Sequence, residues 1–258
     1  MEIIRFGVPS EKPPLLFVHG SYCGAWIWER FFLPAFAKEG WSGAALSLRG
    51  HGKSEGIENI NAFGVAAFLE DVEEGVKLFD KEPVLIGHSL GGYLIQKFAL
   101  DHKVRGLALL SSPSLWGLCG PAQHIALNNP LLGVELGKLM TYGPKDVDGD
   151  VISKAFFNDP QAAKEMEDLL PLLQKESARL SLEACWPEWR RPKEAVPTFV
   201  LGGDKDAFVP TFDFKYEASF WNGELHILPG VSHGVMLDSC WPAVSKEIMD
   251  WLARTFCA

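Results

Sequence analysis

A serine hemmed by small residues is the sharpest chemical signal in the chain. Gly87-His88-Ser89-Leu90-Gly91 follows the apolar run "PVLI" and precedes "LGGYLIQKFAL". A tight corner from strand to helix pushes such a hydroxyl out above a sheet, and the strained backbone there needs small neighbours. The amide of Leu90 opens the following helix, so its unpaired N–H and the helix dipole face any anion formed beside Ser89. A serine hydroxyl is a weak nucleophile at neutral pH; it needs a base, and the base needs a group that holds its tautomer. The chemistry open to such a set is acyl transfer.

Seven histidines compete for the role of base. His233 lies in "LPGVSHGVML", a loop between the last apolar run and the last helical stretch, from which a side chain can reach over the C-terminal edge of a sheet. His226 falls in a strand pattern, His102 and His124 read as surface residues, His51 belongs to the loop "RGHGKSEG", and His19 and His88 are interior to motifs. For these a structural role is expected. The acid should follow a strand on the same edge, and "FVLGGDKDAFVP" offers Asp206 and Asp204. Asp206 is preferred because Asp204 comes nearly at the turn and suits a turn-forming role; Asp213 and Asp238 are weaker substitutes. A second oxyanion donor is offered by "VHGSYCGAW", where Gly20 lets the backbone turn and the Ser21 N–H can join that of Leu90.

These groups lie far apart in the chain and need a sheet to bring them together. Short apolar runs at 14–20, 43–50, 83–89, 104–112, 197–204 and 224–230 are apolar at successive positions, as in parallel strands covered on both faces. Helical periodicity fills 61–80, 90–102 and 240–256, the last with Pro242 near its first turn. The alternation predicts an α/β sheet. Residues 113–192 break the rhythm, with helical patterns such as "QAAKEMEDLLPLLQKESARLSLEAC" and no convincing strand, so they are expected to form an insertion.

Bulk properties narrow the class. The chain has 258 residues, 47% of them hydrophobic and 22% charged, enough for one large core plus an insertion. A net charge of -9 argues against nucleic acid as a partner. Five scattered cysteines show no metal or redox spacing and are expected to be reduced and mostly buried. No signal peptide and no membrane-spanning run is read, so the expected location is cytoplasmic.

In chain order, "HGSYCGAWIWERF", "SLRGHGKSEG", "GHSLGG", "GGDKDAFVP" and "PGVSHGVMLD" resemble the oxyanion strand, the loop after the next strand, the elbow, the acid turn and the histidine loop of the α/β-hydrolase superfamily. The Ser, Asp, His order is also that family's. The resemblance covers nearly the whole chain. It implies an α/β fold, a mostly parallel central sheet with helices on both faces, with residues 1–112 and 193–258 as the core and 113–192 as a helical cap. It further implies Ser89 as nucleophile, Asp206 as acid, His233 as base, the amides of Ser21 and Leu90 as oxyanion hole, and neither metal nor cofactor. Tyr22 and His88 are expected beside the substrate. Trp116 and Trp186, with Trp189, either line an acyl pocket or form ordinary cap core.

Within the superfamily, "HGSYCGAWIW" is similar to the plant methylesterase and hydroxynitrile-lyase branch, and "RGHGKS" to bacterial esterases, perhydrolases and epoxide hydrolases. The lyases carry a lysine directly after the catalytic histidine, where this chain has Gly234; epoxide hydrolases and dehalogenases use aspartate where it has Ser89. The resemblance therefore implies cleavage of a carboxylic ester of a small or medium-sized apolar substrate through an acyl-enzyme. Lactone, thioester, amide or carbon–carbon bond cleavage on the same triad is an alternative, as is a ligand-binding receptor that kept the pocket. The expected partner is a small-molecule ester, with a homodimer left open.

Overall fold

The computed structural model of the chain describes residues 1–257, with the side chains of all but 165–167. Its strands are β1 (Glu2–Phe6), β2 (Leu15–Val18), β3 (Gly43–Ser47), β4 (Val84–His88), β5 (Gly106–Leu110), β6 (Thr198–Gly203) and β7 (Glu224–Leu228). They form one sheet in the order β1-β3-β2-β4-β5-β6-β7, parallel throughout except for β1 against β3. Each expected apolar run supplies one strand. From β2 through β6 every strand residue is buried, as a strand covered on both faces requires. β1 was not anticipated. It is a five-residue, half-exposed edge strand whose pairing is visible only from β3, and the Glu2 carboxylate anchors it by accepting from Ser47 Oγ at 2.6 Å.

The helices are α1 (Trp26–Glu29), α2 (Phe32–Lys38), α3 (Val65–Val76), α4 (Leu90–Ala99), α5 (Cys119–Asn128), α6 (Pro130–Tyr142), α7 (Gly149–Phe156), α8 (Pro160–Leu169), α9 (Ala178–Glu183), α10 (Thr211–Trp221) and α11 (Trp241–Phe256). Adjacent residues of a strand point to opposite faces, so β2 reveals both layers. Phe17 lies 5.1 Å from the ring of Trp28 in α1 and 5.3 Å from that of Phe36 in α2. Leu16 turns the other way, against Gly75 in α3. β6 repeats the division, with Phe199 stacked on Trp251 of α11 and Gly202 pressed on Phe214 of α10.

Residues 113–192 hold α5 to α9 and no strand among the described residues. The long helical pattern at 161–185 does not form one helix. Pro171 sits in a single 3₁₀ turn, Leu170–Leu172, and an extended stretch separates it from α9, because a proline ring removes a backbone donor and clashes with the preceding turn. The extended stretch is bonded to the core instead. Gln174 exchanges hydrogen bonds with Gly52, Ser177 Oγ donates to Phe63 O at 2.6 Å, and Glu183 caps α3 by accepting from Val65 N. The predicted helix at 61–80 accordingly begins only at Val65.

Candidate active site

The sheet changes direction at β2: the chain moves to β3 on one side and to β4 on the other, so the loops after β2 and β4 diverge and leave a crevice. Ser89 follows β4 there, with φ 50° and ψ -124°, a conformation that costs a non-glycine residue about 1–3 kcal/mol and persists only where its surroundings enforce it. Its amide donates to Leu110 O at 2.9 Å, and its carbonyl accepts from Tyr93 N at 3.2 Å. Gly91 makes the approach feasible, since a β-carbon at that position would fall 2.4 Å from the carbonyl oxygens of both Val18 and His19. The end of β2 therefore lies against the first turn of α4. The amides of Ser21 and Leu90 donate no hydrogen bond among the described residues, and both residues line the same cavity as Ser89.

His233 follows β7 and Asp206 follows β6, on the same edge of the sheet. The ring nitrogen Nδ1 of His233 lies 3.0 Å from Oδ1 and 2.9 Å from Oδ2 of Asp206, and both side chains are buried. Asp206 is held by its own turn, where Oδ1 accepts from the amides of Phe208 and Val209 at 2.9 Å each. The other carboxylates are engaged elsewhere. Asp204 accepts from Gly230 N at an exposed turn, Asp213 from the amide and hydroxyl of Ser114, and Asp238 from Ser232 Oγ and Asn158 N. Phe208 stacks on the His233 ring at 4.3 Å, and Phe156 at the end of α7 meets it edge-on at 5.6 Å. His233 and Ser89 face one cavity, and the Ser89 hydroxyl makes no hydrogen bond among the described residues. Such bonds often tighten only when substrate binds.

The neighbouring histidines are engaged with other partners. His88 donates from Nε2 to the carbonyl of His233 at 3.0 Å, tying the histidine loop to the elbow; burial, then the nearby His233, hold its pKa well below the ordinary value. His19 accepts from Leu48 N at 3.0 Å and donates from Nδ1 to Gly20 O at 2.7 Å. That bonding fits a neutral ring, and burial, followed by the charge of His51, pushes its pKa down to about 3. His51 pairs at 3.4 Å with Glu176 of the insertion, both buried.

The cavity beside Ser89 has a volume of about 220 Å³ and, among the described residues, no Asp, Glu, Lys or Arg in its lining. Tyr22 and His88 border it. Trp116 and Trp186 do not. They are 37% and 76% exposed, and Trp116 packs edge-on against Trp189, itself 69% exposed, so these tryptophans are neither pocket wall nor cap core. The walls that sequence reading missed come from Leu118, Pro121, Ile125 and Leu136 of the insertion, with Phe156 and Phe208 beside the imidazole. Only Phe208 carried a usable signal, being apolar two residues after the acid. A larger depression of about 540 Å³, lined by Asp148, Asp150, Lys154 and Lys164, holds no paired nucleophile and base among the described residues.

Comparison with known proteins places this geometry in context. Over 113 residues, 43% of the chain, it is 30% identical to bifunctional epoxide hydrolase 2 of Sus scrofa, of whose length it spans only 20%. Solved structures match over nearly everything: a bromoperoxidase from Bacillus anthracis with a TM-score of 0.76, 17% identity and coverage of 97% of this chain and 94% of that one; and a thermophilic esterase from Thermogutta terrifontis with a TM-score of 0.72, 20% identity and coverage of 99% and 93%. The model of the alpha/beta hydrolase family matches residues 15–246. A match of that extent, on a sheet that carries a strained serine after β4 and a paired aspartate and histidine after β6 and β7, means that the chain belongs to the α/β-hydrolase family.

Proposed function

We propose that the protein is a serine hydrolase that cleaves carboxylic esters of small or medium-sized apolar substrates through an acyl-enzyme. The observation that carries this reading is the buried His233–Asp206 pair opening, together with Ser89, onto one apolar cavity flanked by two uncommitted amides. Asp206 accepts from Nδ1–H and leaves Nε2 as the basic nitrogen. His233 takes the proton from Ser89 Oγ as the oxygen attacks the ester carbonyl, and the amides of Ser21 and Leu90 receive the oxyanion. The α4 N-terminus adds its positive end to the same charge. His233 then protonates the leaving alcohol and, in the second half-reaction, takes a proton from water attacking the acyl group.

The uncharged lining favours a neutral, apolar substrate over a carboxylate or phosphate, and residues 113–192 act as a cap whose walls choose the acyl group. The relative named for epoxide hydrolysis does not redirect this reading, because the nucleophile position holds Ser89 rather than an aspartate. A fluorophosphonate probe followed by peptide mass spectrometry tests it directly: labelling of Ser89 is expected, and labelling elsewhere or none refutes it. A panel of p-nitrophenyl esters of graded chain length, with lactones and thioesters alongside, then ranks the bonds cleaved.

A further inference from the structure

The expectation that the cysteines are mostly buried fails, since only Cys23 is, and two of the others meet where the insertion borders the cavity. Cys119 opens α5 and is exposed; Cys185, two residues past α9, is half-buried and lines the cavity. The residues just before them are joined through the backbone, Leu118 N–H donating to Ala184 O at 2.9 Å. Gly117, at φ 94°, lets the two segments close, because a β-carbon there would stand 2.6 Å from Ala184 O and 3.0 Å from the carbonyl of Cys185. This contact brings the Cys119 and Cys185 side chains to the same junction, close enough for each thiol to feel the other.

We propose that Cys119 and Cys185 form a reversible disulfide under hydrogen peroxide, tying α5 to the segment after α9 at the rim of the cavity. The sulfur of Cys119 attacks one peroxide oxygen, the O–O bond breaks, and water leaves behind a sulfenic acid. The sulfur of Cys185 then attacks that sulfur, the S–S bond forms and a second water departs. In sum, two thiols are oxidised and one peroxide is reduced to two waters. Exposure sets the order: Cys119 meets solvent, whereas burial, followed by the neighbouring Cys119, pushes the Cys185 thiol up to about 11 and makes it the poorer first nucleophile. Because α5 supplies Pro121, Ala122 and Ile125 to the cavity, the bridge holds one wall at a set distance from Cys185 and restricts bulky acyl groups most. That last consequence rests on the hydrolase reading; the bridge itself does not.

To test this, the purified protein is treated with a few equivalents of hydrogen peroxide, remaining thiols are blocked with iodoacetamide, and a non-reducing digest is read by mass spectrometry. The expected result is one cross-linked peptide pair carrying Cys119 and Cys185, reversed by dithiothreitol and absent from Cys119→Ser. Sulfinic or sulfonic acid on Cys119 without that cross-link, or a bridge between any other pair, overturns the proposal. In the same samples, turnover of p-nitrophenyl octanoate should fall several-fold relative to the acetate on oxidation, recover with dithiothreitol, and stay constant in Cys119→Ser. A formed bridge that leaves the two esters in their original ratio overturns the control of the rim. A bridge that forms in a protein with no ester turnover, even when reduced, refutes the hydrolase reading and leaves the disulfide standing.

Discussion

Two helices with glycines in them, α4 beneath the elbow and α6 in the insertion, are built to opposite tolerances. In α4 every residue but Lys97 is buried, and Gly91 touches the backbone of β2. In α6 only Leu132, Glu135 and Leu139 are buried, Leu131, Val134 and Tyr142 stand in solvent, and, apart from the helix's own backbone, nothing among the described residues lies within 4 Å of where a β-carbon on Gly137 would sit. The contrast assigns the tasks. A strained hydroxyl must be enforced by close packing on all sides, so the candidate chemistry sits on the sheet. The cavity walls need only be apolar and about the right size, and they are carried by the looser layer.

That division can be broken by experiment. Ser89→Ala should lower kcat by about a million-fold while the unfolding midpoint holds or rises, since alanine retains the fold and loses the hydroxyl; near-normal ester turnover in pure variant would remove the chemistry from the sheet altogether. Asp206→Asn should keep the geometry but favour the wrong imidazole tautomer, lowering kcat by about ten-thousand-fold, which steady-state kinetics on p-nitrophenyl butyrate would read.

The junction between the regions gives the next effect. Burial disfavours the charged form of His51, but the facing Glu176, with the backbone oxygen of Arg49, outweighs it, so the folded-state pKa lies above the ordinary value. A raised folded pKa contributes stability that is fully present below the unfolded value of about 6.5 and is lost as pH rises through the folded one. Glu176→Gln should therefore cost about 3 kcal/mol at acidic pH and progressively less toward alkaline pH. Urea unfolding across that range measures it, and a difference that does not change with pH would rule out the His51–Glu176 pair as its source.

The smallest effects sharpen the comparison most, because one substitution is made in both helices. Gly91→Ala should destabilise by about 3 kcal/mol, its methyl group being driven into the backbone of β2. Gly137→Ala should stabilise by about 0.5–1 kcal/mol, since a helix interior favours alanine and the space is open. Equal signs in chemical denaturation would mean that the two layers are packed alike.

Legibility followed the same division. Strands β2 to β6 could be read because strands covered on both faces must be apolar at successive positions, the half-exposed edge strand β7 because its short apolar run stops at Pro229-Gly230, and the Gly87–Gly91 pattern announced its own corner. β1 stayed hidden because a short edge strand is defined by its partner. α10 went unread since it turns the acidic Asp213 and Glu217 inward, against the usual sense of an amphipathic helix. Asp206 was separable from Asp204 only as a preference, two residues apart in one turn; the bond to His233 distinguishes them in space. The tryptophans misled because aromatic size argues for burial in general, not at a given site.

By itself, the amino-acid order determined the parallel sheet, the corner at Ser89 and the helical character of 113–192, because each is a local pattern of apolar runs, glycines and periodicity. Tertiary structure alone decided which carboxylate meets His233, which walls close the cavity and which cysteines become neighbours. Those are contacts between segments far apart in the chain, and they are set by how the sheet and the insertion fit together rather than by any local preference.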